Sequence, residues 1–391
     1  MKQRKYLLLF LVLCLLGTMV SVASCSASEG TAAIDSTKRM ANRVWAFAKS
    51  HPEGFTLDVH TMTEPSEGIA VSYAETQGSH SRESLRHVVS HALAHEGYVG
   101  GWLDRATGLY NFDSTRLFSE NDPTGALLFG ADNGQQCVFI LSSATDVRLT
   151  KVSEIRKRGR LRVGTTGDYR PLSYLEPATR QYWGFGIDLA RLLAERLGVE
   201  AEFVQTSWPT LAADVLREPQ IFDLAMGGIT ITDARQKTMA MSEGYLANGK
   251  TILCRAEDAA RFRSLGDIDL PEVRVMVNPG GLNESFARAH LTKAQILVWE
   301  RNEEIPSKVA EGEADVMIPE ITEAPYYTDA DKRLAAPLLE EPFTHGQIGV
   351  LMPQGQDDLM LIVNAAIREM KADGTLRRLC EKYGLVYAYG D

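Results

Sequence analysis

The sequence predicts an α/β protein of two lobes, preceded by a smaller α+β domain. Three observations lead there. From about residue 151 onward, short apolar strand-like runs alternate with amphipathic helical stretches, the pattern of parallel strands joined by helical crossovers. A second unit of this kind begins near residue 254, and Gln347–Met352 reads as a strand that returns the chain to the first. Before about residue 150 the alternation is absent, and short strands, a hairpin and helices are mixed. The expected division is a leader over 1–25, an α+β domain over 26–150 and a two-lobed domain over 151–391. Within the last, lobe 1 takes 151–253 and 347–391, and lobe 2 takes 254–346.

The leader has a basic start, Lys2, Arg4 and Lys5, and an apolar run, Tyr6 to Leu16, too short for a membrane span. Val22-Ala23-Ser24-Cys25 resembles a bacterial lipobox, which implies cleavage and lipidation at Cys25. The mature chain is then expected outside the cytoplasm, touching a membrane only through acyl chains. A formal net charge of −10, without a basic run interleaved with aromatics, argues against a nucleic-acid partner. Besides Cys14 and Cys25 the chain has only Cys137, Cys254 and Cys380, enough for one disulfide at most, and no C-x-x-C pair. No cofactor or metal site is expected.

In the α+β domain, 33–50 and Arg82 to His95 have helical periodicity, and Gly68 to Glu75 and Gln136 to Leu141 read as strands. Tyr98–Asp104 and Leu109–Phe112 form a hairpin around Thr107-Gly108, and Asp122-Pro123 opens a helix with its proline pre-set for the first turn. His87, His91 and His95 share a helical face, but a straight helix does not bring three ligands at that spacing to one ion. The role of this domain is not legible.

In the two-lobed domain, Val152 to Arg158 reads as a helix ended by Gly159, and Arg160 to Thr165 as a strand opening into Asp168 and Tyr169. A helix from Leu189 to Leu197, a strand from Glu200 to Val204 and a helix from Trp208 to Leu216 follow. Phe222 to Met226 is a strand that breaks at Gly227-Gly228, presents Thr230 and Thr232, and enters a short helix carrying Arg235. Thr232 or Asp233 is the natural N-cap. Glycines that let a ligand near the backbone, a hydroxyl and a guanidinium together suit a carboxylate. In the second unit, Val273 to Val277 is a strand followed by Asn278-Pro279-Gly280-Gly281-Leu282-Asn283-Glu284 and a helix from Ser285. A glycine turn at a helix start is an anion site by its unpaired amides. Ala314 to Ile318 is a strand with Glu320 and Glu323 just past its end, and one long helix is expected from Asp358 to Tyr383. Asp168, Tyr169, Trp208 and Arg235 lie beyond strand ends, where open α/β sheets bind ligands, so they are expected to share a cleft.

Leu161 to Leu385 resembles the type II periplasmic solute-binding fold of the polar amino-acid binding proteins. DLAMGGITITDARQKTMAMSEGY is similar to their clamp, in which Thr230 and Arg235 would hold a ligand carboxylate beside Gly228. TTGDYRPLSY, TSWPTL, GYLANGKT and VNPGGLNESFARA are closer still to one enzymatic branch, the periplasmic cyclohexadienyl dehydratases. That resemblance implies Glu323 as a general acid that protonates the leaving hydroxyl of prephenate or arogenate, with Lys250 and Asn278 beside it. It implies Trp208 and Tyr169 as a wall for the ring, and Asp168 and Asn283 as polar contacts. Glu320 falls where amino-acid binding proteins place the acid that meets the ligand ammonium. The chain departs from the branch at Leu282, where a Thr is expected, at Pro325, which would start or kink the local helix differently, and at Gly346-Gln347-Ile348-Gly349. Two functions therefore stay open: a dehydratase, and an amino-acid receptor of an ABC transporter. A third, a sensor read out by the N-terminal domain, has no kinase or cyclase motif behind it.

Overall fold

The structure is a computed structural model that describes residues 35–387; the leader and Cys25 lie outside the described residues. The chain forms two compact units that part between Val147 and Arg148. Among the described residues no helix is long and apolar enough to cross a membrane.

The first unit is a six-stranded sheet in the order 55–58, 98–104, 109–118, 69–72, 137–140, 145–148, with antiparallel pairing through its first five strands. Helix 35–50 and helix Arg82–Leu93 bury Val44, Leu85, Val88 and Val89 against Leu57, Val99 and Phe112. Ser81 starts the second helix with a capping box, its hydroxyl accepting from the Ser84 amide. Asp122 caps the Pro123–Asp132 helix, its side chain accepting from the Gly125 amide. Two edge strands, Phe55–Asp58 and Thr145–Arg148, have no counterpart in the sequence reading. Both are four residues long and carry too few alternations for a period to register. The His91 and His95 rings stack at 4.1 Å and His87 stands 6.5 Å from His91, so the face is a ring stack against Tyr73.

The second unit has the two lobes. Lobe 1 is a sheet in the order Glu200–Gln205, Arg160–Thr165, Leu224–Ala225, Leu351–Met352, Ala240–Met241, the first three strands parallel. Lobe 2 is a sheet in the order Gln295–Val298, Arg274–Val277, Val316–Met317, Leu253–Arg255, Leu334–Ala335. The lobes are joined where Leu246–Asn248 pairs antiparallel with Gly346–Ile348, so the chain crosses on two adjacent strands. Gly159 ends the first helix in the left-handed conformation at φ 72°, as its position predicts. Gly374, at φ 75°, splits the C-terminal helix into Asp357–Ala372 and Thr375–Lys382, which corrects the single long helix expected from periodicity: a residue in the left-handed conformation cannot continue a right-handed helix. The lobe 2 helix starts at Leu282, one turn earlier than Ser285, with Gly281 as its N-cap. Pro325 sits in the first turn of the Ala324–Ala330 helix, where its missing N–H costs nothing. Cys254 and Cys380 are buried free thiols.

Candidate active site

One cleft opens between the lobes of the second unit, with about 320 Å³ of empty space. Lobe 1 contributes Tyr169, Trp208, Gly228, Thr230 and Arg235; lobe 2 contributes Asn278, Gly281, Leu282, Asn283, Asn302 and Glu320, with Lys250 just past the crossing strands. Most of these stand at strand ends, as the parallel topology requires.

The clamp is built locally. Thr232 caps the short Asp233–Gln236 helix, its hydroxyl accepting from the Arg235 amide at 3.3 Å, and Arg235 Nη1 donates to the Thr230 carbonyl at 2.6 Å. These bonds aim the half-buried guanidinium into the cleft. Gly228 has φ +105°, and a Cβ there would stand 2.2 Å from Tyr169 Cδ1, so only glycine lets the aromatic wall and the anion-binding backbone share the space. Gly228→Ala is therefore expected to cost about 1–3 kcal/mol of stability, read as a lowered thermal midpoint, and to abolish ligand protection. An unchanged midpoint would mean that Tyr169 has room to move.

Tyr169 is fully packed and meets Trp208 edge-on, centroids 5.6 Å apart at 89°. Trp208 lies ahead of its helix, which begins only at Leu211, and its Nε1 donates to Asp168 Oδ1 at 3.1 Å. Asp168 does not line the cleft; it orients the indole from behind. Burial raises its pKa, opposed by the Thr166 and Trp208 hydrogen bonds. Asn278, Asn283 and Lys250 form a chain: Asn283 Nδ2 donates to Asn278 Oδ1 at 3.4 Å, and Lys250 Nζ donates to Asn283 Oδ1.

Two neighbouring carboxyls carry opposite charge preferences. Glu320, 5% exposed, accepts from Lys250 Nζ at 2.7 Å, from Thr230 Oγ1 at 3.2 Å and from the Tyr169 hydroxyl. Burial would raise its pKa, but the Lys250 charge and these hydrogen bonds hold it below the ordinary value. Glu323, 0% exposed, has no such cation: burial first, then the Glu320 charge, push it up to about 8. Glu320 is thus an anion and Glu323 a neutral acid at pH 7, the environment separating two like groups. Glu323 does not line the cleft. Its Oε1 accepts from the Glu320 amide at 3.1 Å, which puts it directly behind that wall.

The cleft thus gathers Tyr169, Trp208, Gly228, Thr230, Arg235, Lys250, Asn278, Asn283 and Glu320, and leaves Asp168 and Glu323 one residue back. Asn302 lines it without having been singled out from sequence. It follows the Gln295–Val298 strand, whose four residues carry too few alternations to register in the sequence, so its place beyond a strand end is not legible there.

An α/β chain with two sheets, two adjacent crossing strands and a ligand cleft between lobes is a type II periplasmic binding protein fold. The second unit belongs to the bacterial extracellular solute-binding proteins, family 3, whose pattern matches residues 161–386. It is 40% identical over 221 residues to the cyclohexadienyl dehydratase of Pseudomonas aeruginosa, covering 56% of this chain and 81% of that protein. It is also 27% identical over 233 residues to the L-cystine-binding protein TcyJ of Escherichia coli, covering 59% of this chain and 85% of that one. Among solved structures, an ancestral amino acid-binding protein described as a precursor of cyclohexadienyl dehydratase superposes with a TM-score of 0.55 at 38% identity. That match covers 60% of this chain and 99% of that one. The family therefore holds both an enzyme and receptors.

Proposed function

We propose that the second unit is a cyclohexadienyl dehydratase, removing carbon dioxide and water from prephenate to give phenylpyruvate, and acting likewise on arogenate. The observation that carries this reading is a neutral carboxyl, Glu323, buried beside an ionised one at a cleft built for anions. Identity of 40% to a cyclohexadienyl dehydratase supports it. In this reading Arg235 holds one substrate carboxylate and Lys250 attracts the other, while Trp208 and Tyr169 flank the ring. The bond from the ring to its carboxylate breaks, its electron pair completes the aromatic ring, and the ring C–O bond breaks. Hydroxide is a poor leaving group, so Glu323 gives its proton to that oxygen and is reprotonated from solvent afterwards. Asn278 and Asn283 hold Lys250 in place.

The test is phenylpyruvate formation from prephenate at neutral pH or above, against a no-enzyme control, with phenylalanine formation from arogenate measured alongside. Arg235→Lys is expected to raise KM at least about tenfold, since an ammonium cannot replace the guanidinium's paired hydrogen bonds. A KM within twofold of the parent would remove Arg235 from substrate binding.

One observation favours a second reading. Glu320, not Glu323, is the carboxyl in the cleft, the place for an acid that meets an ammonium. An amino-acid receptor would show no turnover and a large thermal shift on binding an amino acid. For either reading we infer that the chain works outside the cytoplasm, anchored through Cys25. An acylated N-terminus at Cys25 in the mature protein's mass spectrum is the expected result, and an unmodified cleavage elsewhere would exclude the anchor.

A further inference from the structure

The Thr230 hydroxyl, a donor of the clamp, stands 3.2 Å from Glu320 Oε1. A hydroxyl has one proton and an ionised carboxylate has none to give, so the Thr230 proton points at Glu320. The lone pairs of Thr230 Oγ1 are left to accept, and the donor facing them is Asn248 Nδ2 at 3.2 Å. Asn248 Oδ1 in turn accepts from the Thr322 hydroxyl at 3.1 Å. These groups form a one-way series of donations, from Thr322 to Asn248 to Thr230 to Glu320, in which each bond fixes the sense of the next.

Asn248 is well placed for this. It ends the crossing strand Leu246–Asn248, opposite Gly346, so it belongs to the connection between the lobes. Thr230 lies in lobe 1, and Thr322 lies in lobe 2 between Glu320 and Glu323. Asn248 and Thr322 are both buried, so bulk water does not compete for their bonds. Asn248 does not line the cleft. An amide turned the other way would set its carbonyl against Thr230 and draw the Thr230 proton out of the cleft.

Resting on the reading of this cleft as one that holds a substrate carboxylate on Thr230 and Arg235, we propose that Asn248 is the positioning residue of the clamp. It keeps the Thr230 proton aimed into the cleft, and Thr322 keeps the Asn248 amide from turning over. In the empty cleft Glu320 takes that proton. An arriving substrate carboxylate exchanges with Glu320 for a donor that is already oriented, so no hydroxyl rotor has to be reversed or frozen on binding.

The effect belongs to binding and not to the chemical step, so the test separates KM from kcat. Asn248→Leu, close in size but without either polar group, is expected to raise KM for prephenate about tenfold, the worth of one hydrogen bond to a charged group. Its kcat should stay within about threefold of the parent, as loss of uniform binding requires. Thr230→Val should do the same. Both changes remove one shared function, so Asn248→Leu made in Thr230→Val should raise KM by no more than about twofold further. An asparagine that only supported the fold would lower the active fraction, and with it the apparent kcat, and its effect would multiply with that of Thr230→Val. An unchanged KM in Asn248→Leu overturns the proposal, and so do multiplying effects. If Asn248→Leu does not fold, Thr322→Val, which keeps the side-chain shape and frees the amide to turn, carries the test. Its KM should rise about threefold in the parent and not in Thr230→Val, and no rise overturns the proposal. A parent that leaves prephenate unchanged overturns the dehydratase reading instead. The series is then read in urea unfolding of the empty protein, where the losses from Thr230→Val and Asn248→Leu should fall short of their sum. Additive losses there overturn the positioning of Thr230 by Asn248.

Discussion

Replacing Glu323 by Gln is expected to lower turnover of prephenate by about 10²–10⁴-fold, the range a positioned general acid supplies. Ligand affinity should hold within about threefold, because Gln is isosteric and the anion-binding Arg235 and Lys250 that line the cleft are unchanged. The amide keeps the size and the oxygen that accepts from the Glu320 backbone, so packing is preserved. The pH dependence follows from the same cause. The parent needs Glu323 protonated, so its rate should fall as pH rises through about 8. The stability sign is opposite to that of most carboxylates. A carboxyl whose folded pKa is raised from 4.5 to about 8 binds its proton more tightly in the folded state. Its favourable contribution is complete below the unfolded pKa and is lost as pH rises through the folded one, at most about 5 kcal/mol. Glu323→Gln should therefore flatten the loss of thermal midpoint that this group gives the parent between about pH 4.5 and about pH 8. A rate that persists in the variant would move the acid role to Glu320, the carboxyl that lines the cleft. A receptor would show neither the rate nor its pH limb, yet would still show the stability effect, which belongs to the fold.

How much of this was legible beforehand differs by residue. The clamp was, because Gly227-Gly228, Thr230 and Arg235 lie within one strand-turn-helix whose geometry is local. The lobe order was, because strands and helices alternate with clear periods. The environment of Glu323 was not: its pKa depends on Glu320 and on burial beneath residues far away in sequence, and a composition of neighbours three positions apart does not reveal which one meets Lys250. Sequence spacing also placed Asp168 in the cleft, whereas the chain turns its carboxyl behind Trp208. Asn302 escaped for a related reason: the strand before it is short, and its side chain is held by the Asp168 carbonyl, 134 positions upstream. Resemblance to the dehydratases located the acid; only packing explains why it is neutral.

The Lys250–Glu320 pair gives the second large effect. Lys250→Met should lower stability by about 3–5 kcal/mol at neutral pH, because it leaves a fully desolvated carboxylate without its cation. The parent's Glu320 has a depressed pKa, so its contribution is present above the unfolded pKa and is lost as pH falls through the folded one. In Lys250→Met that order reverses. Burial now raises Glu320, and the variant should recover part of its stability on acidification as the carboxyl becomes neutral. Lys250→Met/Glu320→Gln should regain most of the single-variant loss, since no buried charge remains, and the coupling from the double-mutant cycle should exceed about 1 kcal/mol. Unfolding curves of the four proteins at two pH values measure all of this. A single variant as stable as the parent would mean that the pair is hydrated in solution. In that case Glu320 would no longer press its charge on Glu323 through a dry wall, and the neutral acid would lose one of its two physical causes. Burial, the larger cause, would remain, so Glu323 would be raised less and the alkaline limb of the rate would move to lower pH.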